Sequence, residues 1–245
     1  MKHVVSCRLM GGLGNYMFQI STAYSLSLRD KKEFICDYSD STVPQKPYHT
    51  YADNIFRKIN FTDKLPSFVS FHEYGTEYNE IPKIDDNVKI FGYFGSEKYF
   101  KNYRNEILDL FEIDEKNKDE LNEKYLDLIN HPNSCSIHVR RGDYLTQPRR
   151  HPVVTLDYIN KALELLPRCD KILVMSDDIE WCKQNIKQDN LIFVNNYWDC
   201  EGLWLLSLCD HFIISNSTFS WWGAWLSRTE NKVVIAPETW FGPDV

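Results

Sequence analysis

Residues 134–144 read SCSIHVRRGDY. Six residues with no formal charge, Ser134–Val139, give way at once to two arginines, a glycine and an aspartate. A short continuous run of this kind is what a strand buried on both faces requires. Four further runs lie at 171–175, 191–194, 211–214 and 232–235. Helical patterns at about 155–166, 178–186, 200–209 and 218–228 separate them. Strand and helix alternate throughout, which predicts a doubly wound parallel α/β sheet.

Working towards the amino terminus, the pattern weakens. Residues 97–130 are rich in Lys, Glu, Asp and Leu and read as helix, stopped by HPN at 131–133. Residues 38–95, broken by Pro44, Pro47, Pro66 and Pro82, read as loops with short helices and edge strands. Residues 3–9 and 33–37 read as strands, with a turn at GGLGN (11–15) and a helix over 16–28 between them. Two β/α domains are therefore expected, 1–130 and 131–245, facing across a cleft where strand carboxyl ends open.

The bulk properties narrow the function. A net charge of −7 argues against a general nucleic-acid binder, which needs a surplus of Lys and Arg. Fourteen Tyr, fourteen Phe and seven Trp fill cores and can line sites that stack on sugars or bases. The seven Cys are scattered with no C-x-x-C pair, which fits reduced buried thiols and a cytoplasmic protein. The amino terminus carries too short an apolar run for a signal peptide, and no segment approaches a membrane span. Work at a membrane surface stays open.

Four motifs carry the candidate chemistry. In HVRRGDY (138–144), Arg140 and Arg141 leave a strand's carboxyl end with forked donors suited to phosphate oxygens. Adjacent residues leaving a strand point to opposite sides. One of the two is therefore expected on a diphosphate, and the other is expected to face inward and hold Asp143 or the neighbouring loop. Asp143 is either that partner or a general base. In SNSTFSWWGAW (215–225), Ser215, Asn216, Ser217 or Thr218 is expected to cap a helix, with free amides and the hydroxyls of Ser217, Thr218 and Ser220 offered to an anion. Trp221, Trp222 and Trp225 are expected to pack. GGLGN is a tight turn, or a backbone approach to sugar or phosphate through Gly12 and Asn15. In SDD (176–178), Asp177 and Asp178 either cap a helix or accept from a guanine edge. No two Asp stand at i, i+2, so no D-x-D is available to grip a metal on a nucleotide diphosphate, and a metal-free site is expected.

Together, GGLGNYMFQ, HVRRGDY, DHFIISNSTFSWWGAWL and APETWFGP resemble the α1,2-fucosyltransferases along nearly the whole chain. Tyr16 stands where that family usually has Gln, and relatives usually continue beyond WFGPDV. The resemblance implies a GT-B fold with an acceptor-side first domain and a donor-binding second domain. It further implies GDP-fucose as donor, with no separate cofactor. The acceptor would be a galactose-containing glycan, joined by an inverting α1,2 link. On this reading Arg140, Arg141 and Asp143 are catalytic. His138, Arg140, Asp177, Asp178, Ser217, Thr218, Ser220, Gly12 and Asn15 bind the donor.

Overall fold

The computed structural model describes residues 2–39, 47–125, 133–195 and 197–245. They form two compact units, Met1–Asp114 and Glu115–Val245. Among the described residues no helix is long and apolar enough to cross a membrane.

In the first unit β1 (Val4–Cys7) leads through a turn into α1 (Leu13–Asp30). Then come β2 (Glu33–Phe34), β3 (Cys36–Asp37), β4 (Phe61–Thr62), β5 (Val69–His72), β6 (Val88–Phe91) and α2 (Arg104–Leu110). The main sheet has the order β2-β1-β6-β5, all parallel, and β3 pairs β4 in a small parallel pair. Gly11 sits at φ +85°, and a Cβ there would lie 2.2 Å from the Asn15 side-chain Nδ2, so the turn demands glycine. The buried Gln19 side chain clamps the same turn, accepting from the Met10 amide (2.9 Å) and donating to its carbonyl (3.0 Å).

Three sequence-based expectations change here. The strand expected over 33–37 is two strands in two sheets. The helix expected over 97–130 opens with 3₁₀ turns at Glu97–Tyr99 and Lys101–Tyr103 and breaks at 111–114, before α3 (Glu115–Lys124). Its last residues lie outside the described set. Residues 88–91, expected at most as an edge strand, form the interior strand β6. Lys89 disguised it. Its ammonium is buried and pairs with Asp37 at 2.6 Å, a partner 52 residues away. The α3 helix belongs to the second unit, with Leu121 buried; its mostly polar sequence does not tell which core it joins.

In the second unit β7 (Ser134–Val139), α4 (Leu156–Leu165), β8 (Lys171–Ser176), α5 (Ile179–Asn185), β9 (Leu191–Val194), α6 (Asp199–Ser207), β10 (His211–Ile213), α7 (Thr218–Leu226) and β11 (Val234–Ile235) follow in order. The parallel sheet runs β11-β10-β7-β8-β9. Each strand's period of two sends alternate residues to opposite faces. Ile172 and Val174 join Ile137, Ile159 and Cys182 in one core layer; Leu173 and Met175 join Phe212, Leu205 and Ala224 in the other. Each fully buried Ile or Leu contributes roughly 1.5–3 kcal/mol, which is why both faces must be covered by helices. Trp222 and Trp225 are buried, with Trp221 stacked on Trp225 at 6.1 Å, so the tryptophans pack as expected. A Cβ on Gly223 would lie 2.7 Å from the Leu206 Cβ, so α6 and α7 meet closely at that glycine.

Candidate active site

The strand order places a topological switch point in the second unit. From β7 the chain winds outwards through β8 and β9, then returns to add β10 and β11 on the other side. The carboxyl ends of β7 and β10 are neighbours whose following loops diverge, the position where open α/β sheets bind ligands. HVRRGDY leaves β7 there and SNSTF leaves β10.

The two arginines leave in different directions. Arg140 pairs with Asp143 (2.8 Å) and Asp177 (3.1 Å), with its side chain about a third exposed. Arg141 turns the other way. Its Nε meets Asp178 at 3.0 Å, its guanidinium lies 4.0 Å from the centre of the Trp181 ring, and its amide donates to Asp177 at 2.8 Å. Arg141 is thus the inward arginine that holds the neighbouring loop, while Asp143 is held by Arg140 and not by Arg141. Asp178 has a second duty as the N-cap of α5, accepting from the Trp181 amide. Both carboxylates of SDD are engaged by the arginines. A Cβ on Gly142 would lie 2.4 Å from Asp177 Oδ2, so glycine lets the RRGD turn close over Asp177.

His138 is buried under the switch point. Its Nδ1 lies 3.4 Å from the Ser215 hydroxyl and its ring 5.2 Å from Phe219. Burial, with the Arg140 charge nearby, pulls its pKa down to about 3, so the ring is neutral at physiological pH. Ser217 is the N-cap of α7 by backbone geometry but makes no side-chain cap bond. The amides of the first turn have no intrahelical acceptors. Ser220 is buried, and its hydroxyl accepts from the Ser215 amide at 3.1 Å. Thr218 begins the helix and is partly exposed. The structure therefore brings together His138, Arg140, Arg141, Asp143, Asp177, Asp178, Ser217, Thr218 and Ser220 around one strand-end region. Gly12 and Asn15 belong to the first unit.

Tyr144, Asn216 and Tyr158 lock this region. Tyr144 donates to the Asn216 carbonyl at 2.9 Å and stacks on His151 at 4.7 Å. Asn216 Nδ2 donates to the Trp240 carbonyl at 2.9 Å, and its buried Oδ1 has no partner among the described residues. Tyr158 donates to the carbonyls of Ile214 (2.7 Å) and Ile235 (2.9 Å), tying the ends of β10 and β11. Asn216, one of the expected helix caps, bonds the Trp240 carbonyl while Ser217 takes the cap position; for Tyr144 its place inside HVRRGDY is the only signal the sequence gives. Among the described residues no group of three or more His, Cys, Asp or Glu side chains is placed to hold a metal ion.

A search of known proteins matches the model of glycosyl transferase family 11 over residues 1–244. An Escherichia coli alpha-1,2-colitosyltransferase is 31% identical, the alignment covering 97% of this chain and 92% of that protein. A galactoside alpha-(1,2)-fucosyltransferase 2 from Hylobates lar is 26% identical over 89% of this chain and 67% of its own. The crystal structure of NodZ alpha-1,6-fucosyltransferase soaked with GDP-fucose superposes with a TM-score of 0.60 at 13% identity, covering 92% of each chain. Fold and relatives together define a fucosyltransferase-type glycosyltransferase of the GT-B kind. Within that class, the chain belongs to glycosyl transferase family 11.

Proposed function

We propose that the chain transfers L-fucose from GDP-fucose to a galactose hydroxyl of a glycan, forming an α1,2 link with inversion. The acceptor hydroxyl attacks the anomeric carbon from the face opposite GDP. The bond from that carbon to the β-phosphate oxygen breaks, GDP leaves with the electron pair, and the hydroxyl proton passes to a base. Asp143, exposed beside Arg140, is the candidate base.

The observation that carries the reading is the contrast between the arginines at the switch point. The ion pairs of Arg140 are about a third exposed, and such solvent-reached pairs are worth about 0–1 kcal/mol. A diphosphate carrying more charge displaces them at little cost. Negative charge grows on the β-phosphate as the bond breaks, and a preplaced donor there is worth on the order of 3 kcal/mol. Arg141, stacked and paired, keeps its loop in place meanwhile. When Arg140 turns to phosphate, Asp177 Oδ2 is released to accept from guanine. The first unit supplies the acceptor side.

The test is a panel of GDP-, UDP- and ADP-linked sugars offered with β-galactosides, the product linkage read by NMR. Transfer from UDP or ADP sugars as efficient as from GDP sugars overturns the donor assignment, and a product other than a 2-linked galactoside overturns the linkage. The 31% identical colitosyltransferase favours a second reading, in which colitose replaces fucose on the donor, so GDP-colitose belongs in the panel. The missing D-x-D supports donor binding without a divalent cation. Calorimetry of GDP binding with EDTA checks this, and a loss above about tenfold, roughly 1.4 kcal/mol, refutes it. Location in the cytoplasm, including at a membrane surface, is part of the same proposal and is read by fractionation.

A further inference from the structure

The Tyr144 ring has two flat partners. The His151 imidazole stacks on it, the centres 4.7 Å apart and the planes 18° apart. The Arg140 guanidinium lies over the same ring, 5.7 Å from its centre. A guanidinium is drawn to an aromatic face, so the place of the ring sets where Arg140 rests. Asp143 and Asp177 hold Arg140 by charge, and a diphosphate competes for that charge. The ring is neutral and does not compete, so it still guides Arg140 after the carboxylates are displaced.

His151 is itself seated from outside the motif. Its amide donates to the Gln147 carbonyl at 2.9 Å, closing the turn 147–151. The segment 240–244 runs against that turn. The Gly242 amide donates to the Arg150 carbonyl (2.9 Å), and the Asp244 amide donates to the Arg149 carbonyl (3.2 Å). Arg149 grips Asp244 with Nε (2.8 Å) and Nη2 (2.9 Å), but this pair is exposed and holds little by itself. Close backbone contact seats the segment instead. A Cβ on Gly242 would lie 2.1 Å from the Arg149 carbonyl oxygen, so only glycine allows the approach. At its other end the segment is anchored. The Trp240 side chain packs on the core layer of Leu205 and Phe212, and its carbonyl accepts from Asn216. Tyr144 is thus held twice by one segment, its hydroxyl through Asn216 and its ring through His151.

We propose that His151 is a positioning residue for Arg140, acting through the Tyr144 ring, and that the segment 240–244 is the strap that seats it. The inference rests on the donor-binding reading of Arg140. Every contact it uses lies within the second unit.

The experiment uses the full chain with GDP-fucose and a β-galactoside, and phosphorus NMR of bound GDP. His151→Ala and Gly242→Ala should lower kcat about tenfold with donor KM within about threefold, since a displaced Arg140 is felt most in the transition state. His151→Phe keeps a flat ring and should stay within about twofold of wild type. In a Tyr144→Leu background His151→Ala should cost less than about twofold more, because the coupling passes through the ring. Phosphorus NMR reads the same contact without turnover. The β-phosphate resonance should move towards that of free GDP in His151→Ala and Gly242→Ala, and should hold its place in His151→Phe. Amide hydrogen exchange on wild type reads the strap without a variant, with Gly242 and Asp244 protected.

A His151→Phe variant as slow as His151→Ala would show that the imidazole nitrogens act directly, and would overturn the positioning role. An equal loss from His151→Ala with and without the Tyr144 ring overturns it too. Unprotected Gly242 and Asp244 amides, or a folded Gly242→Ala with wild-type kcat, overturn the strap. A wild type that shows the phosphorus pattern but transfers no sugar leaves the positioning standing and overturns the reaction. A wild type that binds no GDP overturns both.

Discussion

The phenolic hydroxyl of Tyr144 donates to the backbone carbonyl of Asn216 at 2.9 Å, joining the loop after β7 to the loop after β10. These are the two loops of the switch point. Burial raises the phenol's pKa to about 12 against the opposing Arg140 charge, so it stays a donor at every working pH. Through Asn216 the connection continues to the Trp240 carbonyl. This bond between the two loops, made just past the paired ends of β7 and β10, fixes their separation.

Tyr144→Phe removes this donor and little else. One such bond is worth about 1 kcal/mol net, which in a chain of this size lowers the melting temperature by roughly 2–4 °C. Turnover should fall further, about tenfold, because the Arg140 loop and the first turn of α7 lose their mutual register. A calorimetric scan beside kcat separates the two effects. A variant with turnover equal to wild type would show that the lock does not position the site.

Arg140→Lys and Arg141→Lys should behave differently. The first keeps charge but loses the fork, so turnover should drop far more than GDP affinity. The second forfeits the Nε bond to Asp178 and the planar stacking on Trp181, so its main effect should be on melting temperature. Both variants are assayed for kcat, GDP affinity and melting. If neither loses turnover beyond about tenfold, roughly 1.4 kcal/mol, the leaving-group role is gone.

His138 gives a pH dependence whose sign is fixed. Its folded pKa, about 3, lies below the unfolded value near 6.5, so below 6.5 the unfolded chain binds the proton first. The stability this group contributes is complete above about pH 6.5 and is lost progressively as pH falls towards 3. Wild type should therefore lose melting temperature more steeply between pH 6.5 and 4 than His138→Gln, which does not titrate. Parallel curves for the two proteins would place the acid sensitivity elsewhere.

Lys89→Met should destabilise the first unit by about 3–5 kcal/mol, since it leaves Asp37 buried without its cation. The double variant Lys89→Met, Asp37→Asn removes both charges and should recover part of that loss. Urea denaturation of the three proteins measures it. Equal stability of the single and double variants would mean that solvent already reaches Asp37.

The residues show where sequence stops. The second unit was legible almost element by element, because parallel strands buried on both faces need unbroken apolar runs and their helices need one apolar stripe. RRGD and SNST were legible as site motifs because their residues cluster at strand ends along the chain itself. β6 was not legible. A lysine in a strand reads as solvent-facing until its partner is known, and that partner, Asp37, comes from β3, 52 residues away. The turning of Arg140 to Asp143 and Asp177, and of Arg141 to Asp178 and Trp181, was likewise decided in three dimensions. Adjacency told that the two must part, but which partners they would meet depended on β8 lying beside β7. Local pattern carries the period of burial and the chemistry of each side chain. Pairings between residues tens of positions apart are set by sheet order, which no single stretch of this chain encodes.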